Sequence, residues 1–297
     1  MISICIPTYN RINDLKHCMN SIFSGFENYP CEVIVADGGS TDGSLEYLRS
    51  LDNITLIEQG KLTGAIKAIN ECFRKAKGDY VFSGNDDFEI MPDVIEKCCK
   101  LMDKEEDIAM ISPKLKEPYY GNLPGITVKK YWILLSKFAV FRHSVLKKVN
   151  YFDENFRTYY VDDDSYLSIM KLGYTTLFTK EFGIIHHRTR DEQTNVARLK
   201  GIKEAKKEVL YLKKKWKPLE ENIEEYLKNA HLTKYRSDIY TYLCNRIYES
   251  EFWRNNIPTW LYDYLVERVI VFKDKKYDKL KDFYLPQKYP KEILENI

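Results

Sequence analysis

The chain has 297 residues, of which 44% are apolar and 30% charged, and its formal net charge is +2. That balance is ordinary for a globular protein and too small to make a nucleic acid the main partner. Seven scattered cysteines without a CxxC pair suggest neither a zinc site nor a disulfide framework, and several, lying in apolar runs, read as reduced core residues of a cytosolic protein.

No apolar run reaches the roughly 18 residues a membrane span needs. The chain starts directly on a strand, with no charged leader before it, so no signal peptide is expected. Ile2, Ile4 and Ile6 alternate with Ser3 and Cys5, and Pro7 is expected to stop this strand. After the loop Thr8-Tyr9-Asn10-Arg11, the spacing of Ile12, Leu15, Met19 and Ile22 predicts an amphipathic helix. Cys31 to Ala36 is a second strand, ending in the glycine-rich loop 37–43. A helix with Leu45, Leu48 and Leu51 inward follows, then a strand over Ile54–Ile57. Thr63 opens a helix with Ile66, Ile69 and Phe73 inward, closed near Gly78. Tyr80–Phe82 is a short buried strand, and Pro92 starts the next helix.

Four strand–helix alternations in about 100 residues predict an α/β fold, an open, mostly parallel sheet flanked by helices. Ligands of such sheets bind outside the carboxyl ends of the strands. The loops 8–11, 37–43 and 84–88 should therefore converge. Asp86 and Asp87 leave the fourth strand side by side, which is costly unless a positive group sits on them. A divalent cation bridged to a phosphorylated ligand would serve; capping of the next turn is the plainer alternative.

Ile108–Ile111 is a further strand, and the prolines, glycines and asparagine of 113–131 predict a long loop. Phe138–Phe141 resumes as a strand and Ser144–Val149 as a short helix. Asp162, Asp163 and Asp164 lead into a helix stopped by Gly173. Acids suit a helix N-terminus, which accounts for two of them and leaves a third to explain. Thr175–Phe178 and Gly183–Ile185 read as two short strands, followed by His186 and His187. Over 198–217 nine basic residues face two acidic ones, a local balance of +7. The segment reads either as a solvated amphipathic helix packed back on the domain or as a contact for an anionic membrane surface or lipid phosphate. Residues 220–297 look helical and aromatic-rich, a surface that would suit a homodimer.

Ile4-Cys5-Ile6-Pro7-Thr8-Tyr9-Asn10-Arg11, Val33 to Gly43, Gly78-Asp79-Tyr80 running into Asn85-Asp86-Asp87, Phe152 to Phe156, the acids 162–164 and His186 together resemble the family 2 glycosyltransferases of GT-A fold. The likeness covers roughly residues 1–190. It implies an inverting transfer from a nucleotide-sugar donor, UDP-linked by default, to a carbohydrate or lipid-linked saccharide in surface polysaccharide or glycolipid assembly. By position, Pro7, Thr8, Tyr9, Arg11, Asp37, Gly64, Asn70 and Asp86 would bind the nucleotide sugar. Asp87 and His186, or His187 in its place, would hold Mn2+ or Mg2+. Asp162, or Asp163, would be the base. Two positions depart from the family pattern: Asn85 where an Asp-x-Asp motif is common, and Val161 where a Glu often precedes the base. A catalytically silent nucleotide- or sugar-binding module with a membrane- or partner-binding tail is the other reading. The implied division is a nucleotide-sugar half at 1–100, an acceptor-side half at 101–196 and a helical, basic and aromatic-rich region at 197–297.

Overall fold

The computed structural model describes residues 1–26, 29–116, 126–128, 133–135, 138–157, 159–187, 207–217 and 283–284. In chain order these give β1 (Ile2–Thr8), α1 (Ile12–Phe23), β2 (Cys31–Asp37), α2 (Ser44–Arg49), β3 (Ile54–Glu58), α3 (Ala65–Lys75), β4 (Tyr80–Ser83) and β5 (Phe88–Ile90). There follow α4 (Pro92–Lys104), β6 (Ile108–Lys116), β7 (Ile126–Val128), β8 (Ile133–Leu135), β9 (Val140–Arg142), α5 (His143–Lys148), α6 (Val161–Lys171), β10 (Thr175–His186) and β11 (Phe283–Tyr284). Residues 207–217 are helical as well.

All seven residues of β1 are buried, as a strand covered on both faces requires. The sheet runs β11-β10-β6-β9-β4-β1-β2-β3, with β5 paired to β10 off that path, and β7 and β8 form a separate antiparallel pair. The period-2 pattern sorts side chains between two cores. Ile2, Ile4, Ile6, Val35 and Phe82 face α1 and α4, whereas Cys5, Ile34 and Val81 face α3, α5 and α6. Among the described residues no helix is long and apolar enough to cross a membrane.

The expected α/β architecture is present, with corrections. Pro7 does not stop β1 but pairs with Ala36 inside it. Thr8 O accepts from Gly38 N and Cys5 O from Gly84 N. Even residues of β1 therefore bond to β2 and odd ones to β4, whose pairing ends at Cys5. The N–H that Pro7 lacks would point past the end of β4, where no ladder bond is lost.

The expected loop at 113–131 begins late, because β6 runs on to Lys116 through Pro113. Ser112 pairs with Phe178 and Lys114 with Phe182, so the register shift leaves Pro113 without a ladder partner to satisfy. The two short strands expected near 175 and 183 are one strand, β10, bent by these same irregularities. The first half of the sheet is parallel, but β9 lies antiparallel to both β4 and β6, and β5 antiparallel to β10. Of the C-terminal region, 207–217 packs Leu212 and Trp216 inward against the α3–α6 face. The expectations for 188–206, 218–282 and 285–297 lie outside the described residues.

Candidate active site

β1, β2 and β4 run parallel, with Thr8 beside Asp37 and Cys5 beside Ser83, so their carboxyl ends open at one edge. Chain direction alone thus brings loops 8–11, 37–43 and 84–88 together. Gly84 makes the junction tight: a Cβ there would lie 2.4 Å from Ile6 Cδ1.

At this edge Thr8 Oγ1 donates to Asp86 Oδ2 at 2.9 Å. Arg11 Nη1 lies 3.6 Å from Asp86 Oδ1 and 3.0 Å from Asp87 Oδ2. Asn85 Nδ2 donates to the other oxygen of Asp87 at 2.6 Å. Both acids are buried, yet they titrate in opposite directions. Burial pushes Asp86 up to about 7, with Arg11 opposing and the neighbouring Asp87 adding to the rise. Burial acts on Asp87 too, but it is outweighed by the hydrogen bond and charge of His186, by Arg11 and by Asn85, which hold Asp87 below the usual carboxylate range.

His186 reaches this point because β5 pairs antiparallel with the end of β10, His186 opposite Phe88. Its Nε2 is 3.2 Å from Asp87 Oδ2, and its buried ring meets Phe88 edge-on with centroids 4.9 Å apart. The neighbouring His187 is exposed and turns its Nε2 to Glu89, 3.1 Å away. Only its backbone N–H contacts Asp87, at the carbonyl oxygen. Of the two histidines, the structure therefore brings His186 to the acids.

Asp37 Oδ1 accepts the N–H groups of Gly39 and Ser40, each at 2.9 Å. Its Oδ2 is buried without a hydrogen-bond partner among the described residues, as is Gln59 Nε2. Gly39 has φ +86, and a Cβ on it would meet the Gly60 backbone at 2.9 Å, so only glycine fits this turn. A cavity of about 160 Å³ opens beside it, lined by Pro7, Thr8, Tyr9, Arg11, Gly38, Gln59, Leu62, Gly64, Ala65, Ala68, Asn85 and Asp86. Gln59 and Leu62 were missed in the sequence; their signal is that they directly follow β3, at the same edge.

Asn70 stands apart from this group. Its amide is fully buried, with Nδ2 donating to Phe152 O at 2.8 Å and Oδ1 accepting from Phe152 N at 3.1 Å. It pins the 152–154 loop to α3 and does not line the cavity.

The three acids of α6 occupy its first turn and differ in surroundings. Asp164 is buried and held by Lys215 Nζ at 2.8 Å and by Trp216 Nε1 at 2.8 Å. Asp163 is also buried. Asp162 is half-buried, and its side chain makes no hydrogen bond or ion pair among the described residues.

Asp87 and His186 offer a carboxylate oxygen and an imidazole nitrogen side by side, a mixed donor pair that Mn2+ accepts. Among the described residues no group of three or more such side chains surrounds a single point. The pair therefore fits a cation whose remaining ligands come from phosphate oxygens and water.

Residues 3–124 match the family described as Glycosyl transferase family 2. Over this stretch, which is under half of the chain, the sequence is similar to that family. The dolichol-phosphate mannosyltransferase of Pyrococcus furiosus is 28% identical to this chain over 142 residues, 47% of the chain and 39% of the relative. The chain thus matches well under two thirds of that relative's length. Staphylococcus aureus TarS 1–349 in complex with UDP-GlcNAc superposes with a TM-score of 0.55 at 19% identity, covering 64% of this chain and 59% of that one. The mannosyltransferase PcManGT of Pyrobaculum calidifontis, in complex with GDP-Man and Mn2+, gives 0.53 at 20% identity, covering 64% and 58%. At such identities the likeness is one of fold, the GT-A fold.

Proposed function

We propose that the chain is an inverting glycosyltransferase that moves a sugar from a nucleotide diphosphate sugar to a hydroxyl of a carbohydrate or lipid-linked saccharide. The observation that carries this reading is the row Thr8–Asp86–Arg11–Asp87–His186, which interleaves two acids with a hydroxyl, a guanidinium and an imidazole at the strand edge where a diphosphate would lie. Asp37 Oδ2 and Gln59 Nε2, an acceptor and a donor without partners among the described residues, suit a base that presents an imide N–H beside a carbonyl. Uracil and guanine both do, and the ligands named for TarS and PcManGT carry one each; UDP is our default. Residues 1–100 would form the donor half and 101–196 the acceptor half, with the acceptor met at the cytoplasmic face of a membrane.

Asp87 and His186 would hold Mn2+ or Mg2+, which when bound neutralises charge growing on the leaving diphosphate. Arg11, 3.0 Å from Asp87 Oδ2, would add a fixed positive charge beside it. Asp162 would take the proton from the acceptor hydroxyl as its oxygen bonds to the anomeric carbon. The bond from that carbon to the diphosphate oxygen breaks, and the electron pair leaves with the diphosphate. Asp162 suits this role better than its neighbours, because Asp163 is buried and Asp164 is held by Lys215 and Trp216.

The test is thermal stability against UDP, GDP, dTDP and CMP, each with Mn2+ and with chelator. One diphosphate at about 100 times its dissociation constant should stabilise the fold by about 2.7 kcal/mol. The Mn2+-dependent part of that gain should vanish in Asp87→Ala. Stabilisation by no nucleotide under either condition would sink the proposal, and binding without turnover of labelled donor would leave the silent module.

A further inference from the structure

The segment 207–217 is strongly basic, and its single acid, Glu208, is the residue it hides: Glu208 is only 4% exposed. A buried carboxylate must be met by donors. Two of those that meet it are backbone groups, the N–H of Arg157 on Oε1 at 3.2 Å and the N–H of Tyr159 on Oε2 at 2.7 Å. Both residues lie just ahead of α6. The next one, Tyr160, caps that helix with φ +61, a conformation an aromatic residue keeps only when its surroundings impose it. Beyond Asp162 the same segment grips again, with Lys215 Nζ and Trp216 Nε1 on Asp164. Lys215 and Tyr211 also hold Asp153, at 2.7 and 2.9 Å. The turn carrying Asp162 is therefore held on both its chain sides by one helical segment about 50 residues further along.

We propose that residues 207–217 are a clasp that sets the position of the α6 N-terminus, and that Glu208 is a positioning residue for Asp162. Its two oxygens fix two backbone donors of the incoming chain, Arg157 and Tyr159, and so determine where the first turn of α6 begins. Lys215 and Trp216 occupy Asp164, leaving Asp162 as the acid of this turn that can turn to an acceptor. The inference rests on the transferase reading above for what Asp162 does, but not for the clasp itself.

Glu208→Gln keeps the shape and sets an NH2 against one of the two backbone donors. Amide hydrogen exchange over residues 156–162 should be slow in the wild type and at least about tenfold faster in E208Q, because an unpaired amide exchanges from the open state. With the donor found by the nucleotide panel, kcat should fall about tenfold or more while the donor KM and nucleotide affinity stay within about twofold. Glu208→Asp, which retains both acceptor oxygens, should recover part of the loss. Should E208Q not fold, Trp216→Phe, which removes only the indole donor to Asp164, is read in the same way.

Unchanged exchange, unchanged kcat, or a parallel fall of kcat and nucleotide affinity would each overturn the proposal. A wild type that turns over no donor would instead sink the transferase reading, and the exchange rates would still decide whether the clasp exists.

Discussion

Asp86 and Asp87 are neighbours in sequence with opposite environments, and the difference comes from what each one's oxygens meet. Asp86 has one hydroxyl donor and a guanidinium at 3.6 Å, too little to offset its burial. Asp87 has a guanidinium, an imidazole and an amide. The acidic pair itself was legible in the sequence, because two acids after a buried strand ask for positive partners. Which histidine turns inward was not legible, since it depends on the pairing of β10 with β5 almost 100 residues away. Asn70 shows the same limit: its partner Phe152 lies 82 positions on. For the acid triplet the prediction is specific. Asp162→Asn should lower kcat by about 100- to 10,000-fold, the usual worth of a general base, with nucleotide affinity unchanged. Asp164→Asn should act mainly on stability. An Asp162→Asn enzyme with ordinary kcat, measured with labelled donor and its acceptor, would remove Asp162 from the base role.

At the scale of elements, the helices of the first 104 residues and all their strands but β5 follow from apolar spacing, because each buries a face against its chain neighbours. β5 was missed because three residues carry no period and the strand exists only through its pairing with β10. The basic segment allowed two readings, and over 207–217 the structure has it packed back through Leu212 and Trp216. Its attachment to Asp153 gives a pH signature. Burial would raise the Asp153 pKa, but the Lys215 hydrogen bond, the Asn155 N–H and the Tyr211 hydroxyl hold it below 3.8. A carboxylate with a lowered folded pKa contributes stability above its unfolded value, lost as pH falls through the folded one. Asp153→Asn should therefore cost about 1–2 kcal/mol at pH 7, a partly exposed charged hydrogen bond being worth less than a buried one. In urea unfolding that difference should shrink once the pH falls below about 4. A cost independent of pH down to 3 would show that packing, not charge, holds this contact.

Across the whole molecule, the site exists because two differently built halves share one sheet. The parallel β1, β2 and β4 deliver Thr8, Asp37 and the acids by chain direction alone, so that half was readable from strand–helix alternation. The other half reaches the edge by an irregular path, with β9 antiparallel between β4 and β6 and β10 bent where Phe182 pairs with Lys114. Gly183 is the tight point on that path. Its carbonyl accepts from Met91 N at the start of α4. A Cβ on it would lie 2.5 Å from Pro113 Cβ and 3.1 Å from Val94 Cγ1. Gly183→Ala must push β10 away from β6 and α4, overpacking that costs about 1–3 kcal/mol. In a domain of this size, that corresponds to a Tm lower by about 3–10 °C. His186 lies three residues further on, so the displacement should reach Asp87's imidazole partner while the β1–β2–β4 edge keeps its shape. Nucleotide affinity in chelator should then stay near wild type, whereas the Mn2+-dependent gain should fall about tenfold, the scale seen when a metal ligand's support is disturbed. Equal losses with and without Mn2+ would mean that the two halves deform as one body, and that His186 has no separate part in holding the cation.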